Sequence, residues 1–193
     1  MNLQLIKELR ERSGAGILDC KNALDESKGE IEKAIIILRE KGLADAQKLE
    51  TRETKEGAIF SYIHQGSKLG VMLELNCETD FVARTEEFKV LGKELCLQIA
   101  ALNPLYIKPE DIPPEKIEQE RNIVRKQFEG QKKPENVLQK IIEGRLSKFY
   151  EEICLLNQPY IRDPQKKIND LILESQAKIK EKISISRFII FRL

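Results

Sequence analysis

The chain has a single histidine, His64, and only four cysteines, Cys20, Cys77, Cys96 and Cys154, scattered along 193 residues. No two cysteines stand at the short gap of a zinc site. No Cys, Asp or Ser stands at a spacing from His64 that would build a triad or a metal centre. Free, mostly buried thiols in a reducing compartment are expected, and His64 reads as a surface or edge histidine near a hairpin tip. A basic excess is missing too: 33 basic side chains meet 32 acidic ones, for a formal net charge of +1. Dedicated nucleic-acid binders usually carry such an excess, because phosphate neutralisation supplies much of their affinity. The balance favours a protein partner. No apolar run approaches the length of a membrane span, and the first residues lead directly into a helical pattern with no signal or transit segment. The chain is therefore expected to act where it is made. That is the cytoplasm or, because the Ile- and Lys-heavy composition points to an AT-rich genome, the plastid stroma or organelle matrix of an organelle-encoded protein.

The chain is rich in charge and in local periodicity. Charged residues make up 34% and hydrophobic residues 41%, the balance of a well-solvated globular chain. Leu3, Ile6 and Leu9 recur at helical spacing until Ser13-Gly14-Ala15-Gly16 interrupts them. Ile17, Leu18, Cys20, Ala23 and Leu24 continue to Ser27-Lys28-Gly29. Ile31, Ala34, Ile35 and Leu38 then form a third face, which Lys41-Gly42 should close. Three short amphipathic helices over 1–43 can bury only a thin core, which suits a docking module better than a catalytic one. Gly14-Ala15-Gly16-Ile17-Leu18-Asp19 half-matches a dinucleotide fingerprint. It fails, because no strand precedes it and Asp19 stands where the third glycine belongs. Residues 44–56 are polar and read as an exposed helical connector.

The remainder, 57–193, reads as one α+β domain. Gly57-Ala58-Ile59-Phe60-Ser61-Tyr62-Ile63-His64 and Leu69-Gly70-Val71-Met72-Leu73-Glu74-Leu75-Asn76 are rich in β-formers, and Gln65-Gly66-Ser67-Lys68 turns between them, which predicts an antiparallel hairpin. Thr85 can cap a helix that begins with Glu86 and Glu87, carries Phe88, Leu91, Leu95 and Ile99 on its buried stripe, and stops at Asn103-Pro104. Glu110 and Asp111, inside a proline-bounded loop, fit capping better than acid–base work. Helices are expected over 117–128 and 137–156, with a flexible turn over 130–134. A rigid loop should come next over 159–164, and then a helix through Ile168, Leu171, Ile172 and Ile179. Ile183-Ser184-Ile185-Ser186-Arg187-Phe188-Ile189-Ile190-Phe191 alternates as a third strand added antiparallel to the hairpin. The expected architecture is a three-helix module and then a three-stranded antiparallel sheet packed with helices.

One stretch stands out functionally. Asn76-Cys77-Glu78-Thr79-Asp80-Phe81-Val82-Ala83-Arg84 lies where the hairpin pattern stops and a helical pattern begins. Thr79 and Asp80 are turn formers whose side-chain oxygens bond free backbone N–H groups. Phe81 sets a large apolar ring beside a carboxylate on a segment that should lie at the surface. These residues alone allow two readings: Phe81 pushes into another molecule, or it tucks under the next helix while Thr79 or Asp80 caps it. No catalytic constellation emerges anywhere in the chain. No cofactor is called for. A second functional class, a small RNA-binding protein of the translation apparatus, would use Lys166-Lys167 and Lys178, Lys180 and Lys182 against phosphate. Those lysines are interleaved with glutamates, as in a solvated helix face.

Three motifs together resemble the translation elongation factor Ts family. They are Leu9-Arg10-Glu11-Arg12-Ser13-Gly14-Ala15-Gly16-Ile17-Leu18-Asp19-Cys20-Lys21-Asn22-Ala23-Leu24, the 76–84 stretch, and Glu143-Gly144-Arg145-Leu146-Ser147-Lys148-Phe149-Tyr150. Their order and spacing match the short form of the family over nearly the whole chain, with Ser13 where Thr is usual and Asn22 where Lys is usual. The resemblance implies a ubiquitin-associated-like module at 1–43 and a single core subdomain that pairs with a second copy as a homodimer. It further implies guanine-nucleotide exchange on elongation factor Tu, the GTPase of translation, without a catalytic site of the chain's own. In that family the segment matching Thr79, Asp80, Phe81 and Val82 intrudes beside the nucleotide and helps dislodge Mg²⁺, while the N-terminal module docks on the same GTPase domain. On that footing Phe81 is exposed and inserting, with Asp80 as its polar neighbour.

Overall fold

The computed structural model describes residues 3–128 and 134–193, with only the backbone of 43, 46 and 47. Three helices open the chain: α1 (Leu3–Ser13), α2 (Ile17–Glu26) and α3 (Ile31–Gln47). A hairpin comes next, β1 (Glu56–Ile63) and β2 (Leu69–Cys77), then the single turn α4 (Asp80–Ala83) and the long α5 (Glu86–Leu102). The chain continues through α6 (Pro114–Gln127), α7 (Glu135–Ile153), β3 (Pro159–Tyr160), β4 (Asp163–Lys167) and α8 (Ile168–Ile179), and closes with β5 (Ile183–Arg192). The expected α+β architecture is present: three helices, then a three-stranded antiparallel sheet with helices, in the order β1-β2-β5.

Two compact units divide the chain: Met1–Ala58, Leu75–Leu91 and Asp170–Ser184 form one, and Ile59–Glu74, Gly92–Asn169 and Ile185–Leu193 the other. In the first, Leu9, Cys20, Ala23, Leu24 and Ala34 are the buried residues of the three-helix core, several of them small, as expected for so few residues. Gly14 turns the chain out of α1 at φ +69°, a left-handed conformation that glycine adopts without a Cβ penalty. The Ser13 hydroxyl donates back one turn to the Leu9 carbonyl at 2.7 Å and accepts from the Ala15 N–H at 3.2 Å, holding the turn that leaves α1. The helix expected to close at Lys41-Gly42 instead runs on to Gln47, and the chain from there to β1 is turn and irregular rather than helical, so the expected helical connector over 44–56 is helix only as far as Gln47. Gly42 is a packing glycine, not a cap. A Cβ there would stand 3.0 Å from the Ala177 Cβ, so its lack of a side chain lets α3 approach α8 closely.

In the second unit the sheet has two unlike faces. Phe60 lies flat against Gly92 of α5, where an added Cβ would meet ring carbons at 2.5–2.6 Å. The even residues of β1 therefore face that helix, and Val71 and Leu73 of β2 are buried. On the opposite face, Ile59, Ile63, Met72, Ile189 and Phe191 are all exposed, with the Arg187–Glu74 ion pair at 2.7 Å among them. Leu193 N–H donates to the Lys68 carbonyl at 3.0 Å at one end of the β2–β5 ladder, which places β5 antiparallel beside β2. The β1–β2 turn is held by His64 N–H to Leu69 C=O at 2.8 Å, with Gly66 and Ser67 both at positive φ.

Some expected boundaries move. The helices begin at Pro114, a proline in the first turn, and at Glu135, directly after an N-cap Pro134, and the second ends at Ile153 rather than 156. Val124, Ile142 and Leu146 form the buried core between α6 and α7. The turn expected over 130–134 lies, apart from Pro134, outside the described residues. The expected rigid loop over 159–164 is in part a small hairpin, β3 pairing antiparallel with β4. Residues Pro109–Asp111 form a 3-10 turn in which the Asp111 carboxylate accepts from the Lys108 N–H at 3.1 Å, a capping role for that acid.

Replacing Gly92 with Ala should destabilise the chain by about 1–3 kcal/mol. The overpacking against Phe60 outweighs the helix propensity gained, about 1 kcal/mol. A urea midpoint equal to or above the wild type would contradict the packing described. Burial also raises the thiols of Cys77, Cys96 and Cys154 from 9.0 to about 11. Between those values the unfolded chain releases protons that the folded chain keeps, so rising pH favours unfolding. The urea midpoint should therefore decline from about pH 9 to about pH 11, and the decline should shrink in a Cys96→Ala, Cys154→Ala variant.

Candidate partner-binding site

At the end of β2 the ladder hands over to a tight turn. Thr79 is extended, at φ −128° and ψ 153°, and its hydroxyl oxygen accepts from the Val82 N–H at 3.4 Å, making it the N-cap of α4. Such a cap contributes about 1 kcal/mol to a helix. One helical turn places successive side chains about 100° apart, and here that sends Val82 inward and Phe81 outward. Val82 is 9% exposed and Phe81 78% exposed. Thr85 repeats the device one turn later: its hydroxyl donates to the Val82 carbonyl at 2.8 Å and accepts from the Phe88 N–H at 3.3 Å, launching α5.

The turn that carries Phe81 is pinned by groups far away in sequence. Thr79 N–H donates to Glu181 Oε2 at 3.0 Å, and Thr79 O–H donates to Oε1 of the same carboxylate at 2.7 Å. The Thr79 carbonyl accepts from the Cys77 thiol at 3.1 Å. That thiol stays protonated because burial, and then the nearby Glu181 charge, push it up to about 11. On the other side, the Glu78 carboxylate accepts from the Lys182 backbone N–H at 2.7 Å and pairs with the Arg52 guanidinium at 3.3 Å. The Lys182 ammonium donates to the carbonyls of Glu50 and Arg52 at 2.6 and 2.8 Å. Lys180, at φ +66°, turns the chain after α8 and delivers Glu181 to this position.

Of the four sequence-predicted residues, then, Thr79 is the cap, Val82 the anchor and Phe81 the exposed ring. Asp80 pairs with Arg84 at 2.8 Å, four residues on along the same exposed turn. An exposed i,i+4 pair is worth about 0.3–0.5 kcal/mol, so Asp80 can change partner at little cost. Local reasoning gave Glu78, Glu181, Lys182 and Arg52 no part in holding this turn. For Glu181 and Lys182 the local pattern, an acid between two lysines just ahead of a strand, also describes a solvated helix face.

Elsewhere, His64 is exposed near the hairpin tip, its Nδ1 2.8 Å from the Tyr62 hydroxyl. The lysines of the RNA-binding reading are partly committed. Lys167 pairs with Glu151 at 3.1 Å, and the Lys182 ammonium is taken up by the Glu50 and Arg52 carbonyls. On the N-terminal helices, Ile17, Leu18 and Ile36 are exposed apolar side chains.

Residues 18–193 match the family model described as Elongation factor TS. The chain is 58% identical over 190 residues to the elongation factor Ts of Thermodesulfovibrio yellowstonii, covering 98% of this chain and 94% of that protein. It is 57% identical over 188 residues to that of Caldanaerobacter subterraneus subsp. tengcongensis, covering 97% and 94%. It is 52% identical over 191 residues to that of Thermosipho melanesiensis, covering 99% and 97%. A match of this length, at this identity, from end to end of the described fold, means that the chain belongs to the elongation factor Ts family of translation elongation factors.

Proposed function

We propose that this chain is a guanine-nucleotide exchange factor that binds elongation factor Tu in its GDP-bound and nucleotide-free states and drives GDP out, so that GTP can enter. The observation that carries this reading is the 78% exposure of Phe81 on a turn capped at both ends. Water-exposed aromatic surface on a rigid turn is burial held in reserve for a partner. Seating a Phe side chain contributes about 1.5–3 kcal/mol, and a turn already ordered loses little further entropy on binding. A GTPase holds its nucleotide chiefly through phosphate contacts and a bridging Mg²⁺. A ring wedged beside those groups, with the Asp80 carboxylate next to it, displaces what positions the ion. By linkage, a factor that weakens nucleotide binding is itself bound more weakly by the nucleotide-loaded GTPase, to the same degree. Release therefore needs no covalent step and no active-site triad in this chain.

The three N-terminal helices serve in this reading as the docking module, with Ile17 and Leu18 available for apolar contact on the same GTPase. Residues 57–193 form the core and dimerisation domain, reached through 44–56. The exposed sheet face of Ile59, Ile63, Met72, Ile189 and Phe191 is the surface for a second copy. A two-fold axis would set one such face on another, and the Arg187–Glu74 pair within it carries both signs of charge needed for self-complementarity. The compartment that goes with this function is the one where translation runs, the cytoplasm or an organelle matrix.

Release of fluorescent GDP from elongation factor Tu tests the exchange reading. Phe81→Ala should slow the catalysed rate about tenfold or more, at 1.4 kcal/mol per tenfold, and Asp80→Ala by a smaller factor. Wild-type rates in both variants would remove the insertion mechanism. For the pairing, sedimentation should give a dimer for the wild type and a monomer for Ile189→Glu. A wild type that stays monomeric at micromolar concentration would refute it.

A further inference from the structure

We infer that Glu181 is a positioning residue for exchange: its carboxylate, delivered by the joint between α8 and β5, sets the pose in which the 79–82 turn presents Phe81. This inference rests on the exchange reading above and assigns within it a residue that does not itself touch the partner.

Glu181 accepts both the backbone N–H and the hydroxyl of Thr79, at 3.0 and 2.7 Å, using one oxygen for each. A carboxylate is the one side chain that can accept both at once with a full charge behind each bond. Thr79 in turn is the cap of the turn whose second residue is Phe81. The arrangement is reciprocal. Glu78, just before Thr79, accepts the backbone N–H of Lys182, just after Glu181, at 2.7 Å. Each carboxylate thus takes the amide beside the other, within two residues of the end of β2 and of the start of β5. There the sheet supplies no carbonyl for either amide. Thr79 is left with almost no freedom, because its carbonyl also accepts from Cys77 at 3.1 Å. Removing Glu181 should leave the sheet and helices in place and release the turn, because among the described residues the donors that lose their acceptor are those of Thr79. Docking through other surfaces should then persist while insertion of the ring becomes inefficient.

The experiment tracks GDP release from elongation factor Tu against concentration of the full-length chain. It uses wild type, Glu181→Ala, Glu181→Gln, Phe81→Ala and the Glu181→Ala, Phe81→Ala double variant, with amide hydrogen exchange of the free proteins alongside. Glu181→Ala should lower the maximal rate about tenfold, with the half-saturating concentration within about twofold of wild type. Glu181→Gln, which keeps one acceptor oxygen, should recover part of that loss. The double variant should be no slower than Phe81→Ala alone, because a residue acting only through the ring has nothing left to position. Amides of 79–83 should exchange faster in Glu181→Ala, while those of β2 and α5 stay as protected as in the wild type. A wild-type rate for Glu181→Ala, or additive losses in the double variant, overturns the inference while leaving Phe81 in its role. Unchanged exchange at 79–83 overturns it whatever the kinetics. A wild-type rate for Phe81→Ala overturns the exchange mechanism instead. If Glu181→Ala does not fold, Glu181→Gln carries the same comparisons.

Discussion

Two carboxylates complete a β-ladder where its strands run out, and the presentation of the candidate site depends on them. Backbone amides at a strand end need an acceptor, and burying one without a partner costs about 1–3 kcal/mol. Here the amides of Thr79 and Lys182 are taken by Glu181 and Glu78. Carboxylates reach further than a neighbouring strand and hold donors at an angle that a flat ladder does not allow. The chain can therefore leave the sheet abruptly at Cys77 and form a one-turn helix without stranding polar groups. The same bonds join residues about a hundred positions apart, so the turn cannot reach its final form before β5 arrives.

That constraint explains how a phenylalanine can be left in water on a turn that is itself held in place. An exposed ring on a flexible loop would collapse onto the nearest apolar surface, or lose its binding energy to ordering when a partner arrives. Phe81 does neither. Val82 is sunk below it, Thr79 and Thr85 cap the segments on either side, and Asp80 and Arg84 hold each other across the exposed face. The rigidity comes from hydrogen bonds to backbone, leaving the ring itself uncommitted.

A similar economy governs packing elsewhere. Gly42 and Gly92 are both helical glycines whose missing side chains admit a neighbour, Ala177 in one unit and the Phe60 ring in the other. Each gives up helix propensity, about 1 kcal/mol relative to Ala, in exchange for a close approach. The sheet behaves differently on its two sides. Val71 and Leu73 are sealed away, while Met72, Ile189 and Phe191 remain exposed. Alternation along a strand guarantees that opposite residues face opposite ways, but both sets here are apolar. One layer of helices cannot cover both.

Much of this was legible in the residues. Periods of 3.6 and 2 fixed the helices, the hairpin and the closing strand, because those signals are local. Thr85 is recognisable as a cap from the Glu86-Glu87 pair directly behind it, and the 76–84 stretch is conspicuous as a motif. Other features were silent for a physical reason: their meaning depends on what lies opposite in space. Gly42 looks like a helix terminator until Ala177 is placed against it, and the 159–164 loop becomes in part a hairpin only when its two short strands meet. Both the buried and the exposed pose of Phe81 satisfy the same sequence, since the residue can sit on either side of a one-turn helix. The sequence alone placed the main helices, the β1–β2 hairpin, the closing strand and the turn that carries the ring, because chain-local sterics and hydrophobic spacing suffice for those. Only the tertiary structure decided that the ring points outward and that Glu181 holds the turn. Those outcomes depend on a carboxylate and two donors meeting across the closed fold, and no local pattern encodes such a meeting.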